Sequence, residues 1–447
     1  MNIVASKDLF LKNFSSLAIR EVVESHVSQH TARGVDGAGY DVTLRDLDQL
    51  VSLIENKAVA GSYRFSPYRE KLILKGAESL PRKVSIPTIR DRITLRCLNN
   101  FLCQVFPDCK PPHAHPIVSK AIRSFAEASS ADAFIKIDVR SFYDHIDHKI
   151  LLCQLRKRIK FEPALILVSG AISTATGARV LDKKCNPLGV PQGLSISNIL
   201  ASIYMLAIDL EYGSRLDIDY VRYVDDILLR TNSREAGLIA GQFSKKLKRS
   251  RKLSTHPMGS GKTSISQFGE SVSYLGYAFQ AKSVSVREAS VKKMMTSLMR
   301  IIAGINDNNV EKSIWRLNLR VSGCRIQGAN VGWLFYFSQI NDHKVLVRLD
   351  RQIKSRLSEV KRPDLYRQCK NFVKAHREIR TNFKGTPYVF DFDAFSRAQM
   401  LDAIYLIKPD SKGKLDRKTD REVKSIFFQT MYREAKDMER DTLGSFS

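Results

Sequence analysis

Two adjacent acidic residues between two runs of β-forming residues constrain this chain more than any other feature. Residues 218–223 and 227–229 predict the strands of a hairpin, and Val224, Asp225 and Asp226 fall at its turn. Neighbouring carboxylates repel each other and resist desolvation, so such a hairpin is poor for folding unless a cation joins it. Taken alone, such a pair favours the structural alternative, an Asx-type turn. A divalent-cation site is the hypothesis that the surrounding residues have to support.

A third acid ends a second apolar run. Residues 133–139, AFIKIDV, predict a short buried strand that ends near Asp138. Hard ions such as Mg²⁺ prefer carboxylate oxygens, and two ions about 4 Å apart can activate an attacking hydroxyl and stabilise a leaving pyrophosphate. Such a site takes acids from more than one strand. Asp138 is therefore the predicted third ligand.

The charge balance indicates a polyanionic partner. The chain carries 72 Lys and Arg against 46 Asp and Glu, a net charge of +26. Nucleic acid is the leading partner class, because neutralised phosphates release condensed counterions. A basic protein that is merely soluble or adheres to ribosomes is the alternative. Seven scattered cysteines without a CxxC pair suit a reducing compartment. Charges in the first 25 residues break up any leader or membrane span, so we expect a cytoplasmic protein without a membrane partner.

The apolar pattern predicts a mixture of helices and short strands. A basic hairpin that leads into a helix is expected over residues 63–93. The run 245–252, KKLKRSRK, is interpreted as a solvated helix face. Further strands are predicted at 272–280 and 283–287, and a helical, basic pattern follows residue 288. The other predicted helices cover residues 9–27, Thr43 to Asn56, 147–175 and the segment after Ser195.

Short motifs in a fixed order resemble those of reverse transcriptases. The segment 223–226, YVDD, matches their YxDD signature, and 135–147, IKIDVRSFYDHID, resembles their first catalytic motif. Between them, 188–197, LGVPQGLSIS, resembles the PQG motif. Four further segments extend the resemblance from about residue 34 to 290. GVDG at 34–37 and RKVSIPTIRDR at 82–92 are typical of bacterial and group II intron enzymes, and KT at 262–263 and YLGY at 274–277 resemble the later palm motifs.

The resemblance implies an α+β fold of the right-hand polymerase type. Its palm carries an antiparallel sheet and its thumb is helical. The implied boundaries are 1–130 for N-terminal helices and fingers, 131–287 for the palm with inserted fingers helices, 288–380 for the thumb, and 381–447 for a helical C-terminal extension of unknown role.

The resemblance also implies roles for single residues. Asp138, Asp225 and Asp226 would bind two Mg²⁺ ions, or Mn²⁺, helped by the backbone carbonyl of Val139. Tyr143 would block a ribose 2′-hydroxyl and so select deoxynucleotides, with a core aromatic as the alternative. The remaining implied nucleotide-binding residues are Lys75 and Arg82 at the triphosphate, Gln192 in the nucleotide pocket beside Pro191 and Gly193, and Lys262 near the leaving pyrophosphate.

The implied activity is RNA-directed DNA synthesis, in which deoxynucleotides are added to a primer hydroxyl and DNA is the product. The segments 316–325 and 331–342 look more like antiviral defence reverse transcriptases of bacteria than like intron maturases. The expected biology is therefore defence against phage with a dedicated non-coding RNA. A second reverse transcriptase or another copy of the chain is a further candidate partner. The alternatives are a group II intron or retron enzyme, an RNA-directed RNA polymerase and a catalytically silent RNA-binding scaffold.

Two other motifs are interpreted as structural. Residues 256–263, HPMGSGKT, resemble a Walker A loop, but His256 replaces the first glycine and a basic stretch replaces the preceding strand. Asp391 and Asp393 could suggest a nuclease carboxylate pair, yet no partner acids stand nearby. An exposed strand or turn is predicted there.

Overall fold

The structure is a computed structural model that describes residues 3–27, 32–39, 45–74, 81–177, 185–383 and 385–442. The chain divides into two units. The first comprises Met1–His113 and Ala131–Gln267, and the second comprises Ala114–Ser130 and Phe268–Ser447. No helix of the described segments combines the length and the hydrophobicity that crossing a membrane requires.

The helices and strands are numbered in chain order. The helices are α1 (Ile3–Asn13), α2 (Ser16–Val22), α3 (Leu47–Val59), α4 (Ile89–Val105), α5 (Ala114–Glu127), α6 (His148–Arg156), α7 (Glu162–Ser173), α8 (Ser197–Gly213), α9 (Ala236–Arg251), α10 (Glu288–Ala303), α11 (Val310–Ser322), α12 (Trp333–Tyr336), α13 (Lys344–Glu359), α14 (Phe372–Thr381), α15 (Arg397–Ile407) and α16 (Asp420–Thr442). The strands are β1 (Tyr68–Ile73), β2 (Arg82–Ile86), β3 (Asp132–Asp138), β4 (Thr176–Gly177), β5 (Asp219–Tyr223), β6 (Asp226–Asn232), β7 (Ser264–Gln267), β8 (Val272–Tyr274), β9 (Tyr277–Gln280), β10 (Ser283–Val286), β11 (Cys324–Ile326), β12 (Ala329–Val331) and β13 (Phe390–Asp391).

A four-stranded antiparallel sheet is the centre of the first unit. Its order is β5-β6-β3-β7, so the two predicted acidic strands are direct neighbours. Ile135, Ile137 and Leu229 are fully buried in a core that also takes in α4, α7 and α8. Burying this apolar surface fixes the register, because a slip by one residue would turn every side chain to the other face.

The predicted basic hairpin and helix are confirmed. Strands β1 and β2 pair antiparallel, and α4 begins after Thr88, whose side chain caps the helix. Asp91 of the RDR triplet is fully buried and accepts hydrogen bonds from the Tyr63 hydroxyl (2.7 Å) and the Ser66 backbone N–H (2.9 Å). The Asp91 carboxylate thus ties the segment that leads into β1 to the first turn of α4.

Strands β8, β9 and β10 form an antiparallel sheet of the second unit, against which α5 stacks Phe125 on Phe279 at 4.6 Å. The strand structure predicted over 272–280 and 283–287 is confirmed, but the prediction missed a turn within 272–280. Leu275 (φ 49°) and Gly276 (φ 77°) lie in the left-handed region and turn the chain back, so the segment forms two strands.

Two further corrections concern helices. The one helix predicted over 9–27 is α1 and α2 followed by a π-turn, because Ser15 accepts a hydrogen bond from the N–H of Ala18 and starts a new helix. The helical prediction after residue 288 misses the hairpin β11–β12, which turns at Gln327 and Gly328. The predicted start at Thr43 lies outside the described residues, and the helix there is α3.

The basic run at the end of α9 is solvated only in part. Lys245, Lys248 and Arg249 are exposed, as predicted. Arg251 is buried, and its guanidinium lies 5.8 Å from the ring centroid of Tyr204. Arg251 and Tyr204 pack against each other, so this part of the run belongs to the core.

Candidate active site

The register of the central sheet brings the three predicted acids together. Asp138 ends β3 and Asp226 begins β6, and their Cα atoms are partners across the antiparallel pair. Asp225 precedes Asp226 in the turn, and its carbonyl accepts a hydrogen bond from the N–H of Val139 (3.3 Å). Asp226 is 9% exposed. Sequence reasoning selected these acids, and strand pairing makes them neighbours.

The turn that carries Asp225 has a strained backbone. Tyr223 and Asp226 are partners across the β5–β6 hairpin, which leaves Val224 and Asp225 as the two turn residues. Val224 has φ 56°, a region that a β-branched residue rarely occupies. Such a residue costs about 1–3 kcal/mol and persists only where its surroundings enforce it. The chain thus keeps an unfavourable conformation at this position.

A loop after α9 lies along the end of β3. The His256 backbone N–H donates to the Asp138 carbonyl (2.9 Å), and the His256 Nε2 atom lies 3.6 Å from the Asp138 Oδ1 atom. The Lys262 Nζ atom lies 3.5 Å from the same imidazole nitrogen. Burial lowers the pKa of His256, and Lys262 lowers it further. The loop that resembled a phosphate-binding loop therefore brings Lys262 close to His256, which is bonded to the end of β3.

Tyr143 lies in a short turn beside the acids. It is half-buried against the core, and its hydroxyl donates to the Asn198 Oδ1 atom at 2.6 Å. Burial raises the pKa of Tyr143, and the nearby Asp225 carboxylate raises it further. The hydroxyl therefore stays protonated and remains a donor. Asn198 was missed by sequence reasoning, although its place directly after the PQG-like motif was an available signal.

The PQG-like loop is bonded to the fingers strand β2. The Ser85 N–H donates to the Gln192 carbonyl (2.7 Å). Gly193 has φ 98°, and a Cβ atom there would lie 2.6 Å from the Val84 Cγ1 atom. Gly193 thus lies so close to β2 that a side chain there would collide with the strand. Arg82 is exposed at the start of the same strand, whereas Lys75 lies outside the described residues.

The donor set suits a hard cation. Asp138, Asp225 and Asp226 offer carboxylate oxygens, and the Val139 carbonyl is the further predicted ligand. Within the described segments, no three His, Cys, Asp or Glu side chains are arranged to hold a metal ion by themselves. Mg²⁺ commonly takes one or two carboxylates and fills its remaining positions with water and substrate phosphates. The residues present fit that mode of binding.

Asp391 and Asp393 have a structural role, as the sequence predicted. The Asp393 carboxylate accepts the backbone N–H groups of Gln327 (2.6 Å) and Gly328 (2.8 Å) in the β11–β12 turn. Asp391 lies 3.8 Å from Arg325. The pair lies in a short strand and a turn and secures the neighbouring hairpin.

Comparison with known families identifies the central region. Residues 73–279 match the family model described as "Reverse transcriptase (RNA-dependent DNA polymerase)". That span contains the strands β3, β5 and β6 with all three acids. The chain therefore contains a reverse transcriptase domain, and the predicted α+β fold of the right-hand polymerase class is confirmed.

Individual relatives are distant. The "Uncharacterized 91 kDa protein in cob intron" of Schizosaccharomyces pombe is 25% identical over 212 residues, which cover 46% of this chain and 24% of that protein. Protein YkfC of Escherichia coli is 25% identical over 188 residues, 39% of this chain and 49% of that protein. The chain thus spans from a quarter to a half of these relatives. A solved telomerase from Candida albicans in complex with a telomeric RNA fragment is 13% identical with a TM-score of 0.41, and the match covers 78% of this chain and 67% of that one.

Proposed function

We propose that the protein is an RNA-directed DNA polymerase that extends a primer hydroxyl with deoxynucleotides. One observation carries the proposal: within the reverse transcriptase domain, Asp138 and Asp226 are Cα partners and Asp225 adjoins them in the turn. The +26 charge of the chain supports nucleic acid as the partner. The assignment of residues 131–287 to the palm, with fingers before it and a thumb over 288–380, belongs to the same proposal.

The three acids and the Val139 carbonyl are the proposed ligands of two Mg²⁺ ions, for which Mn²⁺ is a substitute. When bound, the ions supply activation of the primer hydroxyl and neutralise charge on the leaving pyrophosphate. Arg82, together with Lys75, binds the triphosphate in this proposal. Lys262 stabilises charge or donates a proton near the pyrophosphate.

Selection of deoxynucleotides is assigned to Tyr143. A ring beside the acids can meet a ribose 2′-hydroxyl sterically, and its hydroxyl is already bonded to Asn198 (2.6 Å). Because this hydrogen bond already holds the Tyr143 ring, the ring loses little further conformational entropy when a nucleotide binds. It is therefore a rigid steric barrier to a 2′-hydroxyl. Gln192 lines the same proposed pocket, held by its backbone bond to β2.

The biological setting proposed is cytoplasmic defence against phage, with a dedicated non-coding RNA as template. It rests on the resemblance of residues 316–325 and 331–342 to defence enzymes. A second reverse transcriptase or another copy of the chain is the proposed further partner. The similarity to a protein named for an intron favours a second candidate, an intron-type reverse transcriptase. An intron or a retron RNA gene beside the coding region would decide for that second class.

The test is to purify the chain with its accompanying RNA, add Mg²⁺ and supply each labelled nucleotide separately. The variant is Asp225→Asn, and the matched control is Asp393→Asn, an aspartate of the structural pair. The proposal predicts deoxynucleotide incorporation that is lost in Asp225→Asn and kept in Asp393→Asn. Incorporation of ribonucleotides alone would instead indicate an RNA polymerase. Bound RNA without any incorporation would favour the silent scaffold.

A further inference from the structure

A partly buried cluster beside the turn of Asp225 joins α8 to β5. The Arg222 Nε atom donates to the Asp209 Oδ1 atom (2.7 Å), and Nη2 donates to Oδ2 of the same carboxylate. The Tyr220 hydroxyl also donates to Asp209 Oδ1 (2.7 Å). The remaining arm of the guanidinium, Nη1, donates to the Val224 carbonyl at 2.8 Å. We call Arg222, Asp209 and Tyr220 the turn clamp.

Keeping the charges of the turn clamp away from water costs free energy. The Arg222 side chain is 9% exposed, and a buried charge must be paired and fully bonded to be tolerated. Burial alone lowers the pKa of Arg222, but the Asp209 carboxylate raises it above its ordinary value. Burial and Asp209 also raise the pKa of Tyr220. Arg222 and Tyr220 therefore keep the protons that they donate in these hydrogen bonds.

The clamp acts on the residue with the strained backbone. Val224 has φ 56°, and its carbonyl belongs to the peptide group that it shares with Asp225. A hydrogen bond from a buried, bidentately fixed guanidinium sets the orientation of that peptide group. The direction in which the Asp225 side chain leaves the backbone follows from this orientation.

We propose that Arg222, fixed by Asp209 and Tyr220, is a positioning residue that holds the Asp225 turn in the conformation required for catalysis. The inference rests on the proposed polymerase function. It assigns no contact with substrate to the clamp. A misplacement of about 1 Å at a reacting centre can cost roughly 10²-fold in rate, so a positioning role has a measurable signature.

The alternative is that the turn clamp stabilises the β5–β6 hairpin without positioning Asp225. The chain offers a matched pair for this comparison, because Arg230 and Asp219 form an ion pair at the opposite end of the same two strands. Their side chains are 17% and 39% exposed. Replacing that pair removes a similar interaction from the same hairpin without touching the turn.

The test variant is the triple substitution Arg222→Met, Asp209→Leu and Tyr220→Phe, and the control is Arg230→Met with Asp219→Leu. Replacing a whole buried ion pair with apolar residues of similar size leaves no unpaired charge, so the fold is expected to survive. In the triple variant we expect kcat to fall about 10- to 100-fold while the KM for deoxynucleotide stays within about two-fold. The control should keep wild-type kcat.

Backbone amide exchange of the peptide spanning residues 223–227 is the second readout, independent of synthesis. We expect about five-fold faster exchange in the triple variant and no change in the control. Unchanged kcat together with unchanged exchange in the folded triple variant would overturn the proposal. So would equal loss of kcat in the control, since that points to hairpin stability alone.

Two further comparisons distinguish failure of this inference from misfolding of the variant and from failure of the proposed polymerase function. If the triple variant does not fold, Arg222→Lys takes its place, because a lysine keeps the charge beside Asp209 but lacks the fork that also reaches Val224. It should be folded, with reduced kcat and faster exchange at the turn. Inactivity of the wild type with every nucleotide would count against the polymerase, while the exchange comparison would still decide on the clamp.

Discussion

Two pairs of aspartates occur in short β segments of this chain, and they serve different ends. In the second unit, the Asp393 carboxylate is the acceptor that fastens the turn at Gln327 and Gly328. In the first unit, the turn of Asp225 and Asp226 is fastened through backbone carbonyls, which accept from Val139 and Arg222. One pair thus supports its hairpin with its side chains. The other pair is supported by its surroundings.

The comparison teaches how to separate structural acids from candidate catalytic acids. A carboxylate that accepts hydrogen bonds from two backbone N–H groups contributes to stability, because its removal leaves both donors without an acceptor. Carboxylates of facing strands repel each other, and their proximity is a cost that a bound cation removes. Substitution should therefore reduce stability at the first kind of site and synthesis at the second. Four measurements test that distinction.

The largest effect is expected for Asp138→Asn. Loss of a metal-ligand carboxylate should reduce deoxynucleotide incorporation by about 10³-fold or more, since charge stabilisation at the reacting phosphate is lost. The thermal midpoint should not fall, because a charge is removed from beside Asp226. RNA binding, measured by filter retention, should stay within about two-fold of the wild type. Near wild-type synthesis by this variant would refute the metal-site assignment.

A smaller effect is expected for Tyr143→Ala. Removing the ring should open space for a 2′-hydroxyl and raise ribonucleotide incorporation relative to deoxynucleotide incorporation by about 10-fold or more. The measurement is the ratio of kcat/KM values for matched nucleotides. Tyr212→Ala offers a control, because Tyr212 is a buried aromatic of the same unit, packed on Phe243. An unchanged ratio in Tyr143→Ala would indicate that Tyr143 is a core aromatic residue and does not select between nucleotides.

Asp393→Ala tests the structural side of the comparison. The N–H groups of Gln327 and Gly328 would lose their acceptor, and we expect the free energy of unfolding to fall by about 1–3 kcal/mol. Urea denaturation measures this loss. Synthesis per folded molecule should persist. A stable Asp393→Ala protein with strongly reduced synthesis would make the two aspartate pairs functionally alike.

The smallest effect is expected for Asn198→Ala. The Tyr143 hydroxyl would lose its partner, a neutral hydrogen bond worth about 0.5–1.5 kcal/mol, and the ring would gain freedom. Ribonucleotide incorporation should then rise about two- to ten-fold, less than in Tyr143→Ala. Combining both substitutions should add nothing to Tyr143→Ala alone. An additive effect would show that Asn198 acts independently of the ring.

Part of the candidate site could be read from local sequence. The acids at Asp138, Asp225 and Asp226 follow apolar runs with strand periodicity, and those runs do form β3, β5 and β6. The φ of 98° at Gly193 and its contact with β2 require a glycine, whereas its implied place in the nucleotide pocket stays a prediction. The binding roles of Arg82, Lys75, Gln192 and Lys262 remain predictions.

Other features escaped because their causes are not local. Leu275 occupies the left-handed region although its residue type disfavours it, so Gly276 was the one local signal of the turn in the run 272–280. At Val224 the turn was predicted, but its left-handed backbone was not, because a β-branched residue disfavours that region. Asn198 and Asp209 lie on α8 and bond to Tyr143 and Arg222, which are remote in the chain. Such partners emerge only when helices pack on the sheet.

Local sequence was enough to predict a basic chain, an acidic strand end at Asp138 and a turn with the paired carboxylates of Asp225 and Asp226. These follow from residue types and from the period of the apolar pattern, which are local properties. Only the tertiary structure decided that β3 lies between β6 and β7, which puts Asp138 opposite Asp226. It also decided that Arg222 bonds to both Asp209 and Val224. The physical reason is that burial of apolar surface selects one strand order and register, and the positions of distant side chains follow from that choice.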